Sequence, residues 1–316
     1  MSGDESTLNA KPLAPGLYLV ATPIGNLGDI TLRALDILRR AHRIACEDTR
    51  QTQKLLNHFQ IATPTVSCHQ HNEHARAAEL IGDMKAGKAV ALVSDAGTPG
   101  ISDPGAWLVP AAIASGIPVI PIPGANAALS ALIASGLSTA DFRFLGFLPE
   151  KSGPRRTFLE DLAADFAANP RSTPQTFLFH EAPHRIADTL LDIEKIFGAQ
   201  PHAVVVAREL TKLHEEFLRG TAAEILSALA SRDRIRGEFT LLLELQPAKS
   251  ASDADGHTSD SHEASPKPEK ISAQLARLKA EEDLDEKEAL KRLARLSGQS
   301  KSELYRELQR ERARHK

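Results

Sequence analysis

The residues best suited to chemistry in this chain are Ser94-Asp95-Ala96-Gly97-Thr98-Pro99-Gly100-Ile101-Ser102-Asp103-Pro104-Gly105. They follow KAVALVS (88–94), an apolar run that reads as a buried strand, so the loop lies where open α/β sheets place ligands. Its glycines let the backbone approach a ligand closely, and Asp103 with Pro104 make an N-cap and first-turn pair for the next helix. A simple turn does not need three Gly, two Pro and three small hydroxyl residues in twelve positions. PIGNLGD (23–29) and PIPGANAALSALIASG (121–136) add two more small-residue loops at strand ends. Together they describe a shallow, glycine-lined cleft with few phosphate-binding cations, suited to an uncharged-to-cationic cofactor rather than a triphosphate.

Other signatures fail on context. GxGxxG does not follow the first strand. Gly82, Gly87 and Lys88 approach a P-loop, but Ala89 stands where a Ser or Thr must hold magnesium, and the segment ends a helix instead of opening one. Cys68, His69, His71, Glu73 and His74 are metal-capable in type, yet no second cluster completes a site, so no metal is expected. They read instead as a polar loop near the open edge of the cleft.

The elements that must position these loops alternate. LYLVAT (17–22), RIACE (43–47), KAVALVS (88–94) and PVIPIP (118–123) are strand-like, with helices expected over ITLRALDILRRA (30–41), 49–58, HARAAELIGDMKAG (74–87), 105–115 and ANAALSALIASG (125–136). Strand–helix alternation with short connections indicates a largely parallel sheet covered on both faces. The pattern restarts after residue 140, with strands in FRFLGFLP, TFLFHE, HAVVVARE, LHEEFLRG and EFTLLLEL and helices near 154–168, 183–197 and 221–230. We therefore expect an α/β protein of two domains, 16–137 and 138–246, behind a flexible arm at 1–15. Residues 247–270 are Ser/Asp/Pro-rich and nearly free of large apolar groups, which predicts a disordered linker. Beyond it, Leu stripes and a Ser300/Glu303 capping box predict a small all-α tail over 271–316, with a helix-turn-helix rhythm in LARLSGQSKSELYREL.

Composition limits the function classes. Lys plus Arg number 38 against 41 Asp plus Glu, a net charge of −3, which argues against a histone-like coat on nucleic acid. The tail departs from this balance, with twelve Lys/Arg against nine Asp/Glu, and is a candidate for RNA contact. No run approaches the ~20 apolar residues that span a bilayer. The opening MSGDESTLNAKPLAPG has acidic groups where a signal peptide has basic ones, and only Cys46 and Cys68 are present, so a cytoplasmic protein without a membrane association is expected.

Seven blocks, in order, carry a resemblance: LYLVATPIGNLGDITLRALDIL, ACEDTRQTQKLL, LVSDAGTPGISDPG, PIPGANAALSALIASGL, FLGFLPEKSGPRR, HEAPHRI and ARELTKLHEEFLRG. The chain resembles the small-subunit ribosomal RNA (cytidine-2′-O)-methyltransferase I family, of the tetrapyrrole-methylase fold class, from about residue 16 to about 246 and through the tail. The resemblance implies a two-domain fold with a cofactor cleft between the domains, and an S-adenosyl-L-methionine-dependent enzyme. It further implies a homodimer that methylates the ribose 2′-oxygen of a cytidine in the decoding region of 16S rRNA within the small ribosomal subunit. It places the cofactor against Pro23, Asp95, Ala96, Gly97, Thr98, Ala127, Ala128 and Ala207. Packing is the competing explanation for the three alanines. Three charged groups at strand exits, Asp48 and Arg50, Lys151 with Arg155 and Arg156, and Arg208, join Asn26 as substrate-binding candidates, because phosphate contacts position RNA. Lys212 and Glu47 are the candidates nearest the hydroxyl that must lose its proton. Methylation of a tetrapyrrole, or a non-catalytic RNA-binding assembly role, are the rival readings.

Overall fold

The structure is a computed structural model that describes residues 12–68, 73–101, 107–169, 172–200, 202–232, 234–247, 289–291 and 293. The chain divides into two compact units, residues 1–250 and 251–316. In the second, residues 289–291 and 293 are helical, and Ala289, Leu290 and Leu293 are buried. The rest of the expected tail, its capping box, most of the 247–270 linker and the Asp103–Pro104 pair lie outside the described residues.

The first unit holds two sheets. One is built from β1 (Gly16–Val20), β2 (Arg43–Cys46), β3 (Thr65–Ser67), β4 (Ala89–Leu92) and β5 (Val119–Ile122), in the order β3-β2-β4-β1-β5 with every pairing parallel. Its crossovers carry α1 (Leu32–Arg40), α2 (Thr49–His58), α3 (Glu73–Lys85) and α4 (Leu108–Ala114). Thr31 and Asp48 cap α1 and α2 by accepting from the backbone N–H groups of Ala34 and Arg50. Leu35 and Leu38 of α1 pack with Tyr18 and Ile44 on one face of the sheet, while Leu80 and Met84 of α3 pack with Leu17 and Val90 on the other. Fully burying such side chains contributes about 1.5–3 kcal/mol each, which fixes both layers. The edge strand β3 was not anticipated. Three residues between Pro64 and Cys68 are too few to show either alternation or an apolar run.

The second sheet contains β6 (Phe142–Phe147), β7 (Gln175–Glu181), β8 (His202–Arg208), β9 (Glu216–Gly220) and β10 (Phe239–Leu245), ordered β6-β7-β10-β8-β9. Here the sequence reading needs correction. Only β6 and β7 run parallel; the β7–β10, β10–β8 and β8–β9 pairings are all antiparallel. The loop between β8 and β9 is too short to hold a crossover helix, so β9 folds back on β8, and β10 then enters between β7 and β8. Helices α6 (Ser152–Ala168), α7 (Ile186–Phe197) and α8 (Ala222–Ala230) cover one face of this sheet. The other face is covered by α5 (Ala127–Ser135), which follows β5 and sets Ala128, Ala131 and Leu132 against Leu178, Val205 and Leu242. That packing holds the carboxyl-end loops of the parallel sheet beside the ends of β7, β8 and β10.

Candidate active site

Three loops leave the parallel sheet at its carboxyl end, and hydrogen bonds stitch them together. The Thr22 N–H donates to the Gly97 carbonyl (2.8 Å), and the Gly97 N–H returns a bond to the Thr22 carbonyl (3.1 Å). Thr22 Oγ1 donates to the Ser94 carbonyl (3.3 Å), Ser94 Oγ to the carbonyls of Ala96 and Gly97 (both 3.2 Å), and Thr98 Oγ1 to the Ala125 carbonyl (3.1 Å). Gly97 has φ +81°, and a Cβ there would lie 3.1 Å from Ile24 Cγ2. The positive φ favours glycine, and any Cβ would in addition oblige Ile24 to give way by a few tenths of an ångström.

Two cavities adjoin these loops. The larger, about 390 Å³, runs from Ile24, Ala96, Ile101 and Ala127 to Phe147, His180, Ala207, Leu210 and Glu238. Its size falls within the roughly 300–1,000 Å³ of small-molecule sites. Among the described residues its wall includes no Lys or Arg but does include Glu238, whereas the Glu181 side chain is fully buried and paired with Arg185. Such a lining fits a cationic or neutral cofactor and disfavours a polyphosphate. The ring of His180 meets Phe144 and Phe147 at centroid distances of 5.0 and 5.5 Å. Burial lowers its pKa below the usual histidine value, against a smaller opposing pull from the Glu238 charge.

The second cavity, about 320 Å³, is more polar. Thr22, Pro23, Gln51, Lys54, Asp95 and Lys212 line it, together with Ile24, Ala96 and Glu238, which also line the first. Lys212 Nζ donates to Glu209 Oε1 (3.0 Å) and Glu238 Oε2 (2.9 Å). Burial pulls the Lys212 pKa down, but the hydrogen bonds and charges of Glu238 and Glu209 outweigh it and hold the pKa above the usual lysine value. Gly25 passes so closely against Lys212 that a Cβ would collide with its Cγ. The Asn26 N–H donates to Thr211 Oγ1 (3.1 Å), tying the first loop to the β8–β9 loop.

Most of the anticipated cofactor group therefore converges. Pro23 and Asp95 line the second cavity, Ala96 lines both, Ala127 and Ala207 line the first, and Gly97 and Thr98 line a small adjoining recess. Ala128 does not join them: it is buried among Leu178, Val205 and Leu242, so it serves packing. Glu47 lines neither cavity. It closes β2, where its carbonyl accepts from Ser67 Oγ (3.4 Å).

The substrate group divides. Arg50 and Arg156 are exposed, with 87% and 48% of their side chains accessible, and Lys151 is exposed at the start of α6. Asp48 caps α2 and pairs with Arg50, and the Asn26 side chain caps the turn at Leu27–Asp29. Arg155 contradicts its expected role. Its side chain is buried, its Nε and Nη2 each lie 2.8 Å from Asp192 Oδ2 on α7, and it is unavailable to RNA. Arg208 is likewise committed within the protein, to Glu216 Oε1 (2.9 Å) and the Arg236 carbonyl (2.6 Å). The sequence reading missed Lys54, His180 and Glu238. His180 stands inside the quoted HEAPHRI block, whereas Glu238 carried no local signal.

A doubly layered α/β core whose parallel-sheet loops frame a cation-tolerant cavity is the architecture of a tetrapyrrole methylase. A sequence model of the Tetrapyrrole (Corrin/Porphyrin) Methylases matches residues 16–226. Among solved structures, a cobalt precorrin-4 methyltransferase aligns at TM-score 0.52 and 16% identity, covering 72% of this chain and 93% of its own. Diphthine synthase aligns at 0.53 and 14%, covering 72% and 88%. Sequence relatives narrow the class. "Ribosomal RNA small subunit methyltransferase I" of Halalkalibacterium halodurans is 54% identical over 228 residues, 72% of this chain and 75% of that protein. The enzyme of the same name from Mesorhizobium japonicum is 41% identical over 304 residues, 96% of this chain and 95% of that one, so the match runs through most of residues 271–316. The chain belongs to the ribosomal RNA small subunit methyltransferase I family and is a methyltransferase.

Proposed function

We propose that the chain methylates the ribose 2′-oxygen of a cytidine in the decoding region of 16S rRNA, with S-adenosylmethionine as donor, acting as a cytoplasmic homodimer. The reading divides the core into domains 16–137 and 138–246 and assigns the basic 271–316 segment to RNA contact. The observation that carries it is the pair of adjoining cavities: one without Lys or Arg among its described lining residues for the cofactor, and a polar one holding Lys54 and Lys212 for a ribose and its phosphate. The names of the relatives support ribosomal RNA over a tetrapyrrole as acceptor.

When bound, S-adenosylmethionine supplies an electrophilic methyl group on a sulfonium sulfur. The Gly97 turn presents backbone in the small recess that shares Ala96 and Ala127 with the larger cavity, and these alanines with Ala207 leave room for a ligand to lie close. Phe147, Leu210 and Phe239 keep its wall apolar and exclude water. In the second cavity, Lys212 remains an ammonium and opposes negative charge that develops on the attacking oxygen. Alignment of that oxygen is the main catalytic requirement of an in-line methyl transfer.

The test incubates the protein with labelled S-adenosylmethionine and either small ribosomal subunits or a uroporphyrinogen III-type acceptor, then maps ribose methylation in the RNA. A single ribose-methylated cytidine in 16S rRNA is expected. Label in the tetrapyrrole but not in RNA overturns the reading, as does label on a base. Light scattering that shows a monomer removes the dimer.

A further inference from the structure

We propose that Glu238 is the group that takes the proton from the substrate hydroxyl, with Lys212 clamped beside it as the fixed cation facing the resulting oxygen. The proposal rests on the ribose-methylation reading above. Among the described residues only three, Ile24, Ala96 and Glu238, line both cavities, and of these Glu238 alone exchanges a proton. A methyl group passing from one cavity to an oxygen in the other passes this junction.

The carboxylate is held in a built setting. The backbone N–H of Glu238 donates to Glu209 Oε1 (3.0 Å), and the Glu209 N–H donates to the Glu238 carbonyl (2.9 Å). Lys212 Nζ bridges the two acids, which leaves Glu238 Oε2 paired and the side chain still 78% accessible. Gly237 has φ +104°, and a Cβ there would fall 2.6 Å from Glu209 Cγ, so the turn that presents Glu238 requires glycine. Glu209 and Thr211 adopt φ of +52° and +65°, left-handed values that non-glycine residues rarely take. Strain of this kind concentrates where surrounding structure fixes a functional geometry.

The other groups at hand are unsuited. Lys212 stays protonated between its two acids and has no lone pair to offer. Asp95 lines the second cavity only, and its Oδ1 accepts from the Asp48 N–H (3.2 Å). His180 lines the larger cavity and not the second. In the proposed step the O–H bond breaks and the proton moves to the Glu238 carboxylate, from which solvent removes it. The oxygen lone pair forms the new C–O bond, the methyl C–S bond breaks, and its electron pair stays on sulfur as a neutral thioether.

The experiment measures methylation of small ribosomal subunits by the full chain and by Glu238→Gln and Glu238→Asp. General-base groups contribute roughly 10²–10⁴-fold, so Glu238→Gln is expected to lower kcat by about 10²-fold or more. The KM for subunits and the calorimetric affinity for S-adenosylmethionine should stay within about threefold of wild type. Glu238→Asp should recover part of the rate. An unchanged kcat in Glu238→Gln overturns the assignment, as does an effect confined to KM. Equal losses in Gln and Asp variants with a lowered melting temperature identify a structural residue instead and also overturn it. If wild type places no methyl group on a ribose, the ribose-methylation reading fails as well, an outcome distinct from failure of the variant alone.

Discussion

The two sheets of the core solve the same problem with different bonds. In the parallel sheet, Thr22, Ser94, Gly97 and Thr98 hold the site loops together through backbone and hydroxyl groups, while the charged cluster Arg43, Asp83 and Lys88 sits at the opposite, amino end of the strands. In the mixed sheet, charge is at the site itself: Glu209, Lys212 and Glu238 are drawn together where β8 ends and β10 begins. Parallel strands bring carboxyl ends to one rim, so their loops are contiguous motifs. Antiparallel neighbours bring the end of one strand beside the start of another, and so assemble groups distant in sequence. The first arrangement makes a close-fitting cradle, the second a charged junction.

The sharpest way to break this contrast is at the cradle. Gly97→Val places a β-branched side chain at φ +81°, with its Cβ 3.1 Å from Ile24 Cγ2, inside the stitched pair with Thr22. Loss of measurable S-adenosylmethionine binding by calorimetry is expected, with the circular dichroism of a folded protein. A folded variant with wild-type affinity would show that the loops do not form the cofactor surface.

The mixed sheet should answer to charge removal in stability before it answers in binding. Arg155 and Asp192 expose 3% and 6% of their side chains, and breaking a buried pair leaves an uncompensated charge that costs about 3–5 kcal/mol. Arg156 Nε lies 3.4 Å from Asp192 Oδ1 and can partly neutralise it, so Arg155→Ala should fall near the lower end in urea unfolding. The salt dependence of RNA binding should not change. A shallower salt slope with wild-type stability would restore Arg155 to the RNA surface.

What the sequence discloses follows the same division. SDAGTPG, PIGN and PIPGAN are contiguous, and their glycines and hydroxyls announce a ligand cradle before any contact is known. The parallel order of the first sheet follows from its helix-length crossovers. The mixed order does not, because a strand such as EFTLLLEL looks the same whether its neighbours run with it or against it. Ala128 and Arg155 turn inward in a way the sequence does not disclose, for a related reason. Local spacing puts each near a ligand-binding block, and only the partner across the fold, Leu242 or Asp192, decides that it faces inward. Glu238 lies 26 residues beyond Lys212, and no spacing rule links them; β10 does.

Acid sharpens the contrast further. Glu216 on β9 is hydrogen-bonded to Arg232 and Arg208, and these bonds, against an opposing effect of burial, hold its pKa at about 2, well below the usual glutamate value of 4.5. A folded pKa below the unfolded one stabilises the protein above pH ~4.5 and is lost as pH falls toward ~2. With 28% of the side chain accessible, solvent screening limits the contribution to about 1–2 kcal/mol. Urea unfolding should show wild type ahead of Glu216→Gln by a constant margin from pH 7 to 5. That margin should close between pH 4.5 and 2.5. A margin independent of pH would mean that the Gln variant loses packing and not charge.

The smallest expected effect belongs to the exposed rim of the parallel sheet. Arg50 leaves 87% of its side chain in solvent and meets Asp48 through two bonds, Nε to Oδ1 at 3.1 Å and Nη2 to Oδ2 at 2.9 Å. Asp48 also accepts from the Arg50 backbone N–H, so the carboxylate keeps its capping role when the guanidinium leaves. An exposed pair of this kind is readily exchanged, and a phosphate competes for the same fork of donors. Arg50→Ala should therefore raise the KM for small subunits a few-fold while kcat and S-adenosylmethionine affinity stay at wild type. Each lost phosphate contact removes about 0.7–0.9 from the slope of log K against log salt, depending on whether the contacted strand is single or paired. Binding measured from 50 to 300 mM salt should show that decrement, and Arg155→Ala should show none. If the Arg50 slope equals that of wild type, the guanidinium is a surface group paired only with Asp48, and the RNA path lies instead over Lys54 and the polar cavity.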